Sequence, residues 1–577
     1  MRRLITFVII LTLAFACSPR EKKAPPPANT AATAADDETP QDGGTIVRRL
    51  EADVTSLNPV VASSLYDRRL AFLIFSPLVH IDTDLRPIPG LADSWEISPD
   101  GRLYTFKLNP KATFSDGTPV KASDVLFTIR KIVDPASESV QIAGNFEHFD
   151  SANSKAVDDH TLVVAFRHAQ ASQLLRFNDV MAVPERIYSK GNFKQDFTNT
   201  PIGSGPYKLV RRVPGQELVL ERRADYWAKP PYLQTIVFKV INDNNTAWNA
   251  LKRGDIDETA LQSETWFREQ DNPQLKRRLE FRRFYTLNYN YVGWNTRDPL
   301  FADKRIRQAL TMCLDRPALI NDIYRGTARA MNGPFTPGEW AYNPAVRTIE
   351  YDPEGAKRAF ASAGWLDTNG DGVLDKNGKP FEFDLILTSG SSTGAQFAQL
   401  YQAGMRSVGV KANIVTMEGT AAIQRILAGN FQAAYLGWDL DPDPDPYTLY
   451  HSSQFPPRGQ NFVFYKNPEA DRLLETARLE LDFDERVKQY HRFHEVVADD
   501  QPYTWAIQVS LKWGFTNRVK GVKESRGGYG LVMWYPGELD WWIPQNQRRH
   551  EQPTAAAAPA AAERKPVVVP NEKKPAR

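Results

Sequence analysis

The chain is poor in cysteine. Among its 577 residues only Cys17 and Cys313 are cysteines, and they do not form a C-x-x-C pair. Two cysteines cannot build a disulfide framework, and the spacing typical of a zinc site is missing. Cys313 stands among apolar residues, which predicts a small buried hydrophobic side chain. We expect neither a metal nor a cofactor in this protein.

A strong excess of either charge is also missing. The formal net charge is +2, and the body of the chain, residues 44–547, carries 59 basic and 61 acidic residues. Nucleic acids are bound by concentrated positive charge, so we expect no nucleic-acid partner. With 42% hydrophobic and 24% charged residues, the composition is that of a soluble globular protein.

The common nucleotide and metal motifs do not occur. Neither G-x-x-x-x-G-K-S/T nor G-x-G-x-x-G is present. His491 and His494 lack a third ligand, so a solvated helix face is the favoured interpretation. Residues 367–378 begin like an EF-hand loop, but Gly378 stands where the bidentate Glu belongs. Asx-turns are therefore favoured over a calcium site.

One motif indicates a hydrolase. Residues 390–394 match G-x-S-x-G between a predicted strand and a predicted helix, which is the setting of a hydrolase nucleophile. Ser392 would be the nucleophile, and His451 is the histidine best placed to serve it. A Gly/Ser-rich helix start, where Ser and Thr cap free N–H groups, explains the same residues. We favour the helix start and expect no enzyme, with the hydrolase as an alternative.

The N-terminus carries an export signal. Two arginines precede an apolar run from Leu4 to Ala16, which has the length of a signal-peptide core and is short for a transmembrane helix. Cys17 follows a small residue, as in a bacterial lipobox, although Ala14 stands where that pattern prefers Leu. We predict a signal peptide over residues 1–16 and lipidation of Cys17. A plain secretory signal is the alternative.

Two polar segments flank the body. Residues 17–43 are rich in Pro, Ala and charge, and residues 548–577 resemble them. Neither segment shows the apolar periodicity of a helix or strand, so we predict a disordered tether and a disordered tail.

Strands and helices alternate through the body. Leu103 to Leu108, Phe381 to Leu387 and Leu287 to Tyr291 are predicted strands. Residues 122–124 are predicted to lead, as a capped start, into a helix over VLFTIRKIV, and other helices are predicted around residues 303–326, 468–481 and 484–499. The mixture indicates an α/β or α+β protein with more than one lobe.

Four blocks of the body contain recognisable motifs. They span Leu91–Ile132, Pro201–Ile241, Asn295–Ile320 and Ala433–Ser453. The first contains SWEISPDGRLYTFKL and FSDGTPVKASDV, the second SGPYKLV and ADYW, the third RDPLFADKRIRQAL and the fourth GWDLDPDPDP. In this order the blocks resemble the family 5 extracellular solute-binding proteins, which include the oligopeptide and dipeptide receptors of ABC transporters.

The resemblance implies a fold. It implies an α/β, two-lobed periplasmic-binding-protein fold (type II-like, large class) with an extra subdomain on lobe one. The lobes would close on ligand about a hinge. The implied boundaries are 44–81, 202–285 and 513–547 for lobe one, 82–201 for the subdomain and 286–512 for lobe two.

The resemblance also implies a site for a peptide ligand. In the family an aspartate after a Gly-Trp pair binds the peptide amine, and Asp441 has the matching offset here. Gly437, Trp438 and Asp439 would supply a strand edge for the peptide backbone. Asp-Pro occurs three times in a row, so an alignment shifted by one repeat would place Asp439 or Asp443 at the amine-binding position instead. We favour Asp441 and expect Asp443 and Asp445 to be structural.

The opposing strand of the family follows a Leu-Asn-Pro motif near the N-terminus. Residues 57–59 match this motif, which makes Ser64, Leu65 and Tyr66 the segment that faces the ligand.

The function implied is that of a membrane-anchored lipoprotein on the periplasmic or extracytoplasmic face. It would capture peptides as a monomer and deliver them to the permease subunits of an ABC importer. A peptide sensor of the same fold is one alternative. A receptor for a nickel complex, haem, a sugar or an opine is another, because this fold hosts many ligands.

Overall fold

The computed structural model describes residues 39–195, 197, 200–529 and 533–549. The predicted signal peptide, Cys17, almost all of the tether and the tail from residue 550 lie outside these residues. From Pro40 onward the chain forms one compact unit. Within the described ranges no helix has the length and hydropathy needed to cross a membrane.

The first half of the chain contains twelve strands and seven helices among the described residues. In chain order they are β1 (Thr45–Leu50), α1 (Leu65–Ile74), β2 (Val79–Ile81), β3 (Pro87–Pro89), β4 (Ala92–Ile97), β5 (Leu103–Leu108), α2 (Ala122–Val133), β6 (Lys155–Ala156), β7 (Thr161–Ala165), α3 (Gln173–Arg176), α4 (Glu185–Tyr188), β8 (Tyr207–Val213), β9 (Glu217–Arg222), β10 (Thr235–Val240), α5 (Asn244–Arg253), β11 (Glu258–Ala260), α6 (Ser263–Glu269), α7 (Pro273–Lys276) and β12 (Leu279–Tyr285).

The second half follows with β13 (Asn288–Trp294), α8 (Lys304–Met312), α9 (Arg316–Ala318), β14 (Ala328–Ala330), α10 (Pro353–Ser362), β15 (Asp375–Lys376), β16 (Lys379–Pro380), β17 (Glu382–Thr388), α11 (Ser392–Arg406), β18 (Lys411–Met417), α12 (Gly419–Leu427), β19 (Ala433–Asp439), α13 (Tyr447–Tyr450), α14 (Pro468–Ala477), α15 (Phe483–Asp500) and β20 (Tyr503–Thr516).

One long sheet runs through both lobes. Its strand order is β18-β17-β19-β13-β20-β11-β1-β10-β9-β8, and β12 and β14 also pair with β20. We call β1 and β8–β12 with their helices lobe one, and β13, β14 and β17–β19 with theirs lobe two. β20 belongs to both lobes, because its start pairs with β13 and its end pairs with β12. The mixed sheet and the two lobes confirm the predicted α/β fold.

Each lobe has its own apolar core. Lobe one buries residues such as Ile46, Leu218 and Phe238 under its half of the sheet. Lobe two buries Trp294 and Cys313 among the aromatic residues around β17, so the prediction for Cys313 is confirmed. The side chains in both cores are almost completely removed from water, which is the main favourable term in folding.

A smaller sheet forms a subdomain on lobe one. Its order is β4-β5-β7-β6, and α2 covers one face. β5 alternates as predicted, with Tyr104, Phe106 and Leu108 inward. Arg223 at the end of β9 donates hydrogen bonds to the carbonyl oxygens of Thr113 and Phe114, each at 3.0 Å. These bonds fasten the subdomain to lobe one.

The chain crosses between the lobes at two adjacent places. One crossing is the short link from β12 to β13, which contains Thr286 and Leu287, and the other is β20. Gln508 on β20 donates a hydrogen bond from Nε2 to the carbonyl oxygen of Thr286. Two neighbouring crossings of this kind form a hinge about which two rigid lobes rotate.

Candidate functional site

A cavity of about 580 Å³ lies between the two lobes. Its wall combines the start of α1, the segment around α3 in the subdomain, and the residues after β19 in lobe two. Polar residues of the lining include Ser64, Arg68, Arg176, Asp179, Asp439 and Asp441. This volume is typical of a small-molecule or peptide pocket, and its position between lobes is typical as well.

The Asp-Pro repeat divides into paired and unpaired carboxylates. Asp443 accepts two hydrogen bonds from Arg486, at 2.6 and 2.9 Å, and both side chains are buried. Asp445 accepts from Arg478 at 2.9 Å. Asp441 makes no hydrogen bond and no ion pair with any described residue. Asp443 and Asp445 therefore support the loop, whereas the carboxylate of Asp441 has no partner among the described residues.

Asp441 lies in an unusual electrostatic setting. Its side chain is exposed to the cavity, yet many protein atoms lie around it, and this partial desolvation raises the pKa of the carboxyl above its usual value. The positive charge of Arg176 acts in the opposite direction, and the negative charges of Asp179 and Asp445 act in the same direction as burial. An ammonium group would offset the cost of desolvating this carboxylate.

The end of β19 offers an open strand edge. On one side β13 pairs with all of β19. On the other side β17 pairs only with Ala433–Tyr435, and no described strand pairs with the last residues. Leu440 N donates to Leu287 O, so the alternation of a strand turns the backbone groups of Gly437 and Asp439 toward the open side.

Trp438 has a different position. By the same alternation its backbone groups face β13, and its ring lies between Tyr291, at 6.2 Å, and Phe462, at 6.0 Å. Of the described residues around the cavity, neither Trp438 nor Gly437 contributes to the lining, whereas Asp439 does. The strand edge thus supplies two residues with outward backbone groups, and Trp438 packs behind it.

The expected facing strand at Ser64–Tyr66 is wrong, because this segment starts a helix. Ser64 Oγ accepts from Asp67 N at 3.0 Å, and Asp67 Oδ2 accepts from Ser64 N at 3.2 Å, which is a capping box. Ser64 and Leu65 still line the cavity. Tyr66 points elsewhere and donates to Glu51 Oε2 at 3.3 Å.

Three charged residues of the cavity lining were not predicted from the sequence. Arg68 on α1 pairs with Asp179 at 2.5 Å, and Asn145 donates to the other oxygen of Asp179 at 3.1 Å. Arg176 at the end of α3 donates to Gln170 Oε1 at 3.1 Å. These residues belong to no short motif and come from segments more than 100 positions apart, so no local pattern indicated that they share a cavity.

Contacts between the subdomain and lobe two close the cavity. Ala171 N donates to the carbonyl oxygen of Arg478 at 2.7 Å. Gln170 Nε2 donates to Asp445 Oδ2 at 3.4 Å. The guanidinium of Arg86 lies over the ring of Phe483, 4.9 Å from its centroid. The subdomain and lobe two therefore contact each other beside the cavity.

The other candidate motifs are placed as follows. Ser391 caps α11, with its Oγ accepting from Gly394 N at 3.0 Å, as the helix-start interpretation of G-x-S-x-G predicts. Asp367 accepts from the backbone N–H groups of Gly370 and Gly372, as in Asx-turns. The solvated face predicted for His494 is wrong, because its side chain is fully buried and its Nδ1 accepts from Asn343 N. Among the described residues no cluster of three or more His, Cys, Asp or Glu has the geometry of a metal site.

Two hinged lobes with a polar, closed cavity between them define a solute-binding protein. The sequence model of the family described as bacterial extracellular solute-binding proteins, family 5 Middle, matches residues 86–461 of this chain. The chain belongs to this family. It is therefore a binding protein and not an enzyme, and the family description places it outside the cytoplasm.

Similar proteins cover most of the chain. The oligopeptide-binding protein AppA of Bacillus subtilis is 30% identical over 510 residues, which are 86% of this chain and 92% of AppA. The haem-binding protein A of Haemophilus influenzae is 28% identical over 474 residues, which are 78% of this chain and 83% of that protein. The structure of the Bacillus subtilis AppA in complex with a nonapeptide superposes with a TM-score of 0.65 at 28% identity, covering 88% of this chain and 100% of that one.

Proposed function

We propose that this protein captures peptides between its lobes and delivers them to the permease of an ABC importer. The observation that carries the proposal is Asp441, a carboxylate without a partner among the described residues, two positions beyond the open edge of β19. The similarity to an oligopeptide-binding protein over 86% of the chain supports it.

The geometry suits the constant parts of a peptide. An extended backbone can pair with the outward N–H and C=O groups of Gly437 and Asp439 as an added strand. The free amine can then reach Asp441 and form a charge-assisted hydrogen bond. Ser64 and Leu65 form the opposite wall through the start of α1 rather than through a second strand.

The test is the substitution Asp441→Asn, which keeps the shape and removes the charge. Titration calorimetry with tri-alanine and hexa-alanine should show affinity about 10- to 100-fold lower than for the wild type, because a hydrogen bond to a charged group is lost. Binding of the N-acetylated peptides should not change. Asp439→Asn is the matched control and should lose less affinity for the free-amine peptides than Asp441→Asn does. Equal affinity of wild type and Asp441→Asn for free-amine peptides would refute the role of Asp441.

We also propose that Cys17 is acylated and holds the protein at the outer face of a membrane as a monomer. The support is the apolar run of signal-peptide length directly before Cys17. One acyl chain anchors weakly and two or more anchor stably, so a multiply acylated cysteine would keep the receptor near its permease. The domain boundaries given above also stay predictions, which the separate cores support.

A non-peptide ligand is the second candidate, since the haem-binding relative covers 78% of the chain. Native mass spectrometry of the protein purified from its own cells separates the candidates. Bound masses that fragment into amino acids support a peptide, and the mass and absorbance of a haem overturn it.

A further inference from the structure

The cavity contains an arginine without a carboxylate partner. Arg176 lines the cavity, and no described carboxylate lies within 4.0 Å of its guanidinium. Its one hydrogen bond with a described residue goes to Gln170 Oε1. A guanidinium has five N–H donors in a planar fork, so four remain for another group. The other arginine of the lining, Arg68, already pairs with Asp179.

The negative charges around Arg176 only partly neutralise its positive charge. Burial lowers its pKa, and the negative charges of Asp445, Asp441 and Asp443 only partly offset this effect. Asp443 and Asp445 are held by arginines of lobe two. Arg176 and Asp441 are thus opposite charges that share one cavity, and neither has an ion pair with a described residue.

Polar atoms without partners lie in the same wall. Ser172 and Asn178 flank Arg176 along the chain, are 3% and 7% exposed, and line the cavity. Ser172 Oγ and Asn178 Oδ1 have no hydrogen-bond partner among the described residues. Buried polar atoms are nearly always paired in native proteins, so the wall around Arg176 contains polar groups whose partners the described residues do not supply.

The two charges interact across the cavity. The charge of Asp441 acts on the pKa of Arg176, and the charge of Arg176 acts on the pKa of Asp441. A volume of about 580 Å³ equals that of a sphere roughly 10 Å across, which is the span of about three extended residues. A single ligand whose ammonium and carboxylate groups are a few residues apart can therefore contact both side chains.

We propose that Arg176 binds a carboxylate of the ligand while Asp441 binds its amine, so that the preferred ligands are peptides with a carboxylate close to their N-terminus. This proposal rests on the proposed function. The carboxylate has two possible sources, which are the C-terminus of a di- or tripeptide and an acidic side chain near the N-terminus of a longer peptide. The planar guanidinium matches either one with two parallel hydrogen bonds.

The experiment is calorimetry with two pairs of peptides. Tri-alanine is compared with its C-terminal amide, and Ala-Glu-Ala-Ala-Ala-Ala-amide is compared with its Gln analogue. For the wild type we expect the member with the carboxylate to bind about 10- to 100-fold more tightly in at least one pair. The pair that shows the difference identifies the source of the carboxylate.

The variants decide whether Arg176 causes the difference. In Arg176→Gln the two members of that pair should bind within about threefold of each other, and Arg176→Lys, which keeps the charge without the fork, should restore part of the difference. Arg130→Gln, at an exposed position of α2 that does not line the cavity, is the matched control and should retain it. Thermal unfolding monitors the fold of each variant.

Two results overturn the inference while the proposed function stands. They are equal binding within both pairs by the wild type, and a difference that persists in Arg176→Gln. Failure of every peptide to bind the wild type overturns the proposed function and this inference together.

Discussion

Gln508 ties together the two crossings between the lobes. Its Nε2 donates to the carbonyl oxygen of Thr286 at 2.5 Å, and its Oε1 accepts from Arg329 Nε. Gln508 and Thr286 are each 1% exposed. The bond joins β20 to the link between β12 and β13 at the point where the sheet passes from one lobe to the other.

We therefore expect Gln508→Leu to destabilise the protein by about 1–3 kcal/mol, because Arg329 Nε loses its acceptor and the Thr286 carbonyl keeps only its bond from Asn288 N. Urea unfolding followed by tryptophan fluorescence measures the change. Gln262→Leu, at an exposed position outside the hinge, is the control and should change stability by less than about 0.5 kcal/mol. Similar losses for both variants would contradict the role of Gln508.

A second prediction concerns the stability contributed by the ion pair of Asp443 and Arg486. Arg486→Gln leaves the buried Asp443 carboxylate without its ion-pair partner and should cost about 3–5 kcal/mol. On the same helix, Arg492 pairs with Glu469 at an exposed position, so Arg492→Gln should cost less than about 1 kcal/mol. Chemical denaturation of both variants checks the contrast, and a small loss for Arg486→Gln would show that Asp443 is not held as described.

Glu339 should make stability depend on pH. Burial raises the pKa of its carboxyl from 4.5 to about 7, although Thr336 donates hydrogen bonds to it. The folded protein therefore holds this proton more tightly than the unfolded chain does. The stability that this tighter proton binding adds to the folded protein is fully present below pH 4.5. It is lost as pH rises through 7, which lowers the free energy of unfolding by roughly 3 kcal/mol.

Glu339→Gln carries no proton to lose, so the variant should gain stability relative to the wild type between pH 5 and pH 8. Unfolding free energies at several pH values measure this difference, in which the other titrating groups cancel. Glu354→Gln, at an exposed helix position, is the control. A difference that does not vary with pH would rule out titration of Glu339 in this range.

The anchor is tested by Cys17→Ser. The wild type should sediment with membranes and enter the detergent phase of a Triton X-114 partition, whereas the variant should remain in the soluble fraction. Mass spectrometry of the N-terminal peptide should show acyl chains on Cys17 of the wild type. An unmodified cysteine there would leave a plain secretory signal.

The sequence predicts elements whose signals are local. β5 alternates, and α2 starts where the capping residues stand, with Asp124 accepting from Lys121 N at 2.9 Å. The start of α1 was missed although its signal is present: residues 64–67 read S-x-x-D, which is a capping box. The strand expected from the family resemblance concealed that signal.

The site was only partly predictable. Asp441 follows a recognisable Gly-Trp pair, so a motif could indicate it. Arg68 and Arg176 line the same cavity because the fold brings α1 beside the segment that follows α3, where Arg68 pairs with Asp179. The same holds for His494, whose helix shows apolar and polar faces but whose burial depends on the loop that contains Asn343.

The open side of β19 has a consequence for behaviour in concentrated solution. An unpaired strand edge is a template on which a second copy of a chain can add, and such edges promote aggregation. Here the open side of β19 is the side away from β13, and Asp439 at its end lines the cavity between the lobes. The cavity beside this edge, about 580 Å³ in volume, has room for one extended ligand and not for a second sheet. The position of the edge between the lobes therefore restricts strand addition to ligands that fit the cavity.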